Sequence, residues 1–326
     1  MCVECGCGQP GPTRIDGQPA ETVRSPLVDA PDAGAAHPHI HTHTHEHTHP
    51  HDHTHPPEEL PVPGQAHSHS HDHTHTHAHP HSHGPGHDES HPHHSHAGHD
   101  HAPATESHRV VEVHQAILGA NDRQAERNRG FFRALGILAV NLVSSPGSGK
   151  TELIHQTITR LAGRARVAVI VGDVATDNDA RRLRGSGAPV VQITTGTLCH
   201  LDAGMVARAV GQLDPQAVDL LFLENVGNLV CPAAFDLGED LRVALLSVTE
   251  GEDKPLKYPP LFHSSQAAVI TKTDLAQAAG FDRELTLANL RRSCPRARVF
   301  ELSARSGDGL DAWCEFLLES RGGMSR

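Results

Sequence analysis

The stretch "ILAVNLVSSPGSGKTELIHQTITRLAG" (137–163) leaves this chain the fewest options. An unbroken apolar run over 137–145 has no polar alternation, so it reads as a strand covered on both faces. A glycine-rich loop follows, and then helical periodicity over 150–163. A strand, a tight glycine loop and a helix in that order place backbone N–H groups at a helix N-terminus, where an anion is bound.

The pattern repeats downstream. Strands are expected in "VAVIVGDVA" (167–175), "APVVQITT", "VDLLFLEN" (218–225), "LRVALLSVTE", "AAVITKT" and "ARVFELSA". Helices are expected in "DNDARRLRG", from about Asp202, in "FDRELTLANLRRS" and in "LDAWCEFLLES". A further helix is expected from about Glu106 to Arg129, with Gly119 its weak spot. Val/Ile/Leu strands alternating with helices give an α/β domain over 108–326, a mostly parallel sheet flanked by helices.

The loop "SSPGSGKT" (144–151) matches G-x-x-x-x-G-K-[ST] except that Ser144 stands at the first glycine. Gly147, Ser148 and Gly149 turn backbone amides inward, Lys150 reaches the β and γ phosphates, and Thr151 can ligate Mg²⁺. Glu224, at the end of one strand, suits a carboxylate that polarises a metal-bound water. Asp173, at the end of another, is expected near the Mg²⁺ or the attacking water, and Asp177 competes with it or caps a helix. Lys272 and Asp274 in "VITKTDL" are similar to the N-K-x-D guanine reader, with Thr271 in place of Asn. A carboxylate there accepts the two N–H donors that guanine presents and adenine lacks. In "LSARSG" Ser303 and Ala304 add the late Ser-Ala element, the Ala304 N–H facing guanine O6. The nucleotide expected is GTP. No arginine finger or water-orienting glutamine is evident, so slow turnover is expected.

Residues 1–107 differ in kind. They hold 14 Asp and Glu against 2 Lys and Arg, which gives 2 − 14 = −12, the formal charge of the whole chain. They contain 26 of the 31 histidines and no Phe, Trp or Tyr. Such a segment buries too little apolar surface to offset its ordering entropy, so residues 9–107 read as a disordered linker. Its histidines, His37 to His101, fall in two blocks around "PPEELPVPGQA". Neutral imidazoles in alternation, with Asp52, Asp72, Asp88 and Asp100 among them, offer many exchangeable sites for divalent metals. Selectivity is poor, as the Irving–Williams order dictates, which suits storage. Within residues 1–8, Cys2, Cys5 and Cys7 form C-x-x-C-x-C, a thiolate metal motif.

Without a basic surplus, nucleic acid is not the expected partner. No apolar run spans a membrane, and seven cysteines without a secretion signal fit reduced thiols in a cytoplasm. Cys199 and His200 lie side by side in "TTGTLCHLDAG", and Cys231 lies seven residues beyond Glu224. Thiolate and imidazole suit Zn²⁺ or Ni²⁺. Three ligands leave a four-coordinate site incomplete, so two chains meeting at this loop would share one. Because the Glu224 strand leads to Cys231, nucleotide state would move the thiolates. Cys294 and Cys314 read as small buried hydrophobes.

Together, S-S-P-G-S-G-K-T, E-N-V-G-N-L-V-C-P, the Cys-His pair, T-K-T-D and the N-terminal C-x-x-C-G-C resemble the HypB family, GTPase accessory factors for nickel–iron hydrogenase maturation. The resemblance implies a SIMIBI-type P-loop fold and a homodimer favoured by GTP. It also implies a metal site at Cys199, His200 and Cys231, and a tighter nickel site at Cys2, Cys5 and Cys7. The partners implied are the nickel metallochaperone HypA and the hydrogenase large subunit. "EGEDKPLKYP" (250–259) looks like the family's loop after the fifth strand. The expected function is thus a GTP-hydrolysing nickel metallochaperone. The alternatives are a urease-type (UreG-like) accessory GTPase, whose metal motif is Cys-Pro-His, and a nickel store with a secondary GTPase domain.

Overall fold

The computed structural model describes residues 12–29 and 106–324. Cys2, Cys5, Cys7 and the His37 to His101 region lie outside them. After a short N-terminal segment, helix α2 (Glu106–Ala134) leads into β3 (Leu138–Val143), α3 (Lys150–Leu161), β4 (Val167–Asp173), α4 (Asn178–Arg184) and β5 (Val190–Thr194). Then come α5 (Ala203–Val210), β6 (Leu220–Glu224), β7 (Leu241–Ser247), α6 (Lys254–Lys257) and α7 (Pro259–His263). The last elements are β8 (Ala267–Thr271), α8 (Arg283–Ser293), β9 (Arg298–Glu301) and α9 (Leu310–Met324). Strands β5-β4-β6-β3-β7-β8-β9 lie side by side in that order, all parallel. The alternation of apolar runs and helices therefore produces the expected α/β sheet, and strands β3, β4, β6, β7 and β8 are buried almost throughout.

Both faces are covered. On one, α3 and α9 pack Leu153, Ile154, Trp313 and Leu317 onto Val140, Val169 and Phe222. The Trp313 indole N–H, buried there, donates to the Thr157 hydroxyl at 3.1 Å. On the other, α2 and α5 bring Phe132, Met205 and Val206 against Ala139, Ile170 and Leu221. Helix α2 runs past the expected Arg129 to Ala134 and stops in a Schellman turn. Gly136 takes a φ of 68° there, and the Ile137 N–H reaches back to Phe132 O at 2.9 Å.

One expectation needs correction. The N-terminal segment, read as part of the disordered linker, contains ordered structure. Strands β1 (Arg14–Ile15) and β2 (Gln18–Pro19) form a hairpin, and α1 (Pro26–Asp29) follows. Strand β1 adds antiparallel to the free edge of β5, so the sheet has nine strands among the described residues. The reason is local: Asp16 and Gly17 adopt φ of 45° and 81°, the Asp-Gly hairpin turn. Ile15, Val23 and Leu27 then have core positions to fill. The stretch "EGEDKPLKYP" follows β7, with α6 inside it and α7 starting at its edge, each with proline in its first turn.

Candidate nucleotide and metal site

The expected site residues within 106–324 gather at the C-terminal ends of the parallel strands, where α/β sheets bind ligands. Between β3 and α3, Gly147 and Gly149 take φ of 72° and 101°, so the loop curls over the start of α3. Lys150 is buried, and its ammonium donates to Ser144 Oγ at 2.9 Å. Ser144, the residue at the motif's first glycine, also donates to Ser145 O at 2.8 Å and meets the Ser148 hydroxyl. Burial pulls the Lys150 pKa below the usual lysine value, with Glu224 acting against it.

Glu224 ends β6, wholly buried. Its Oε1 accepts the Thr151 hydroxyl at 2.6 Å, while its Oε2 has no hydrogen-bond partner. Burial pushes the carboxyl up to about 7, opposed by Lys150 and the Thr151 hydrogen bond. A buried carboxylate oxygen lacking a donor, beside a hydroxyl, is the hard oxygen pair that fits Mg²⁺ or its bound water. Asp179, on α4, carries no local sequence signal for this site. Its charge bears on both Lys150 and Glu224, and only the fold brings it there. Asp173 ends β4, but its Oδ1 is engaged by its own loop, accepting Ala175 N–H at 2.9 Å and Thr176 N–H at 2.6 Å. Asp177 precedes α4 without capping it, because its carboxylate pairs with Arg181 at 2.7 Å.

At the end of β8, Thr271 donates its hydroxyl to Ser148 O at 2.6 Å, so the residue standing for asparagine ties this loop to the phosphate loop. Lys272, held left-handed at φ 59°, donates to Gly147 O at 2.7 Å. Asp274 accepts the Ser303 hydroxyl at 2.6 Å. That same hydroxyl accepts the Arg305 and Ser306 N–H groups at 3.2 and 3.1 Å, which forms the turn carrying Ala304.

Cys199 and His200 sit between β5 and α5, and Cys231 opens a 3-10 turn beyond β6. The fold brings the three together, all half-buried, with one donor atom of each within 4.8 Å of the others. The Cys199 and Cys231 sulfurs are 2.8 Å apart, and His200 Nδ1 is 3.9 Å from Cys199 Sγ. Two thiols and an imidazole in a half-open cluster suit Zn²⁺ or Ni²⁺. The His200 ring stacks on Phe235 at 3.9 Å, and burial lowers its pKa, which favours the neutral, ligating form.

Three residues join this cluster to the nucleotide loops, through partners that no local pattern reveals. Asn225, directly after Glu224, accepts the Leu201 N–H at 3.1 Å. Asn228 donates to Cys199 O at 3.4 Å. Gly227 lies against the phosphate loop so closely that a Cβ there would stand 2.9 Å from Pro146 Cα. The quoted motif E-N-V-G-N contains all three, but their partners are distant in sequence. Cys294 and Cys314 are buried as expected, and burial pushes both thiols up to about 11.

The chain is similar to known proteins in sequence and in fold. The family model "CobW/HypB/UreG, nucleotide-binding domain" matches residues 138–301. The hydrogenase maturation factor HypB of Azotobacter chroococcum mcd 1 is 53% identical over 225 residues, 69% of this chain and 74% of that protein. HypB of Escherichia coli K12 is 49% identical over 220 residues, 68% of this chain and 76% of that one. Among solved structures, HypB of Archaeoglobus fulgidus superposes with a TM-score of 0.59 at 41% identity, covering 62% of this chain and 99% of that one. HypB of Helicobacter pylori, solved in complex with nickel, gives 0.60 at 36%, covering 63% and 96%. With a phosphate loop, a Cys-His-Cys cluster and relatives of this closeness, the chain belongs to the HypB hydrogenase maturation factors of the CobW/HypB/UreG family of P-loop proteins.

Proposed function

We propose that this chain is a GTP-hydrolysing nickel metallochaperone that delivers nickel to the large subunit of a nickel–iron hydrogenase. The observation that carries the reading is the Cys199–His200–Cys231 cluster, tied through Asn225 to the strand that ends in Glu224. The nickel complex of the Helicobacter pylori relative supports the choice of metal, and the donor set admits Zn²⁺ as well. Three donors leave a fourth position open, which a second copy of the chain would fill in a homodimer favoured by GTP. HypA is the proposed partner in nickel exchange. Cys2, Cys5 and Cys7 form the second nickel site, and His37 to His101 the low-selectivity store.

In the nucleotide site, the amides of Gly147, Ser148 and Gly149 cradle the phosphates, and Lys150 exchanges Ser144 for a phosphate oxygen. Thr151 and Glu224 would hold Mg²⁺, which neutralises phosphate charge when bound. Asp173 is the second carboxylate on that side. Asp274, oriented by Ser303, accepts the guanine N–H groups, Lys272 lies along the base and the Ala304 N–H meets its carbonyl. Hydrolysis serves as a switch.

Calorimetric nickel titration of the full chain with GDP or a non-hydrolysable GTP analogue tests the reading. Nickel affinity at Cys199, His200 and Cys231 is expected to differ between the two nucleotides. Lys150→Ala should abolish GTP turnover and leave nickel binding by the N-terminal cysteines intact. Loss of both together would refute the two-module view.

A further inference from the structure

Helix α2 buries Asn121, Ala125, Asn128 and Phe132, a stripe at helical spacing turned toward the domain. Apolar side chains at all four positions would suffice to dock a helix. Two of the four are asparagine, and a buried amide costs free energy unless it is hydrogen-bonded. Asn121 Oδ1 accepts the Ala203 N–H at 2.9 Å, and its Nδ2 donates to Asp236 O at 2.9 Å. Asn128 Nδ2 donates to Ala203 O and to Leu237 O, both at 2.9 Å. Gln124 completes the set by donating to Asn128 Oδ1 at 3.0 Å.

The partners of the two asparagines share a meaning. Ala203 lies just beyond His200, and Asp236 follows Phe235, the ring on which His200 stacks. Each asparagine therefore bonds two segments at once, one bearing Cys199 and His200 and the other running on from Cys231. The second segment also lies close against the helix. Gly238, at φ 88°, leaves so little room that a Cβ there would stand 2.5 Å from Ala125 O. Arg129 adds an ion pair to Asp236 at 2.7 Å. Cys199 and Cys231 are 32 residues apart and follow different strands, so no local turn fixes their spacing.

We infer that α2 is a splint for the cluster, with Asn121 and Asn128 as positioning residues. They hold the two segments at the separation that lets both sulfurs and the imidazole face one ion, and they touch no ion themselves. Outer partners of this kind orient the donors and so set metal affinity. The choice of nickel rests on the function proposed above, whereas the spacing of the two thiols does not, so the two are read separately.

Phenylarsine oxide measures the spacing without nickel. Its arsenic bonds to two neighbouring sulfurs, and its oxygen leaves as water with the two thiol protons. The full chain with Cys2, Cys5 and Cys7 replaced by alanine confines the reaction to the domain. Mass spectrometry follows the adduct in competition with 1,2-ethanedithiol, and thiolate-to-nickel charge-transfer absorption follows nickel affinity. Asn121→Ala unties both segments, and Gly238→Ala pushes one of them off the helix. Each should weaken arsenical capture and nickel binding by about tenfold or more, the usual effect of losing an outer partner. Asn121→Asp keeps an acceptor for Ala203 and loses only the donor to Asp236, which supplies a milder variant should the other two fail to fold. Leu317→Val, in the core on the opposite face of the sheet, lowers stability without touching either segment and should change neither reading. Arsenical capture indifferent to the α2 and Gly238 variants, or an equal loss in Leu317→Val, would overturn the splint. Arsenical capture by the parent protein with no nickel bound at the cluster would count against the metal-carrying function and leave the splint standing.

Discussion

The side-chain oxygen of Asn225 accepts the backbone N–H of Leu201 at 3.1 Å, joining the residue after Glu224 to the residue after His200. Both groups are buried, so the bond has no water to replace it. Asn225→Ala leaves the Leu201 N–H without a partner, at a cost of about 1–3 kcal/mol in stability. It should also shrink the difference in nickel affinity between nucleotide states, with nucleotide affinity itself little changed. Urea denaturation and calorimetry with each nucleotide check the two halves.

Gly227→Ala places a methyl group 2.9 Å from Pro146 Cα, closer than side chains pack. Backbone must shift, and the shift falls on the phosphate loop. A loss of about 1–3 kcal/mol is expected, typical of overpacking, and nucleotide affinity should fall by tenfold or more. Fluorescent nucleotide titration measures the affinity, and thermal denaturation the stability.

Arg242 donates to Glu239 at 2.8 Å, to Phe235 O at 2.8 Å and to Ala233 O at 3.2 Å. It thereby clamps the segment that carries Cys231 and the Phe235 ring beneath His200. Removing one partner of a buried pair leaves the other charge uncompensated, so Arg242→Met should cost about 3–5 kcal/mol. Arg242→Met with Glu239→Leu should recover part of that stability without recovering nickel affinity at Cys199, His200 and Cys231. Denaturation midpoints and nickel titration separate the effects.

Glu224 gives a pH dependence with a definite sign. Its carboxyl, 4.5 ordinarily, is pushed up to about 7 in the fold without nucleotide. The folded state therefore holds this proton more tightly than the unfolded chain. Its contribution to stability is fully present below pH 4.5 and is lost as pH rises through about 7. In the nucleotide-free protein, Glu224→Gln should remove this decline, on the order of 3 kcal/mol at most. The variant should match wild type in acid and exceed it above neutrality. Denaturation midpoints of both proteins across that range give the answer.

What the sequence shows and hides follows from the distance over which each feature is decided. Strands such as Leu220–Glu224 are unbroken apolar runs, and the phosphate loop is contiguous, so both are legible. Cys199 and Cys231 could be paired from their chemistry, although 32 residues separate them. The Asp16–Gly17 turn was equally local, an Asp-Gly beside Ile15, but a composition average over 107 residues submerged it. Asp177 looked like a cap because Asp commonly is one, and Arg181 took its carboxylate instead. The partners of Asn225 and Arg242 are set by how β6 and β7 lie in the sheet, which no local pattern encodes.

The serine at position 144 changes the electrostatics of the phosphate loop. Its hydroxyl gives the buried Lys150 ammonium a resting partner, so departure of the ligand strands no naked cation in the interior. Arrival is thus a trade of one oxygen for another and not a rescue.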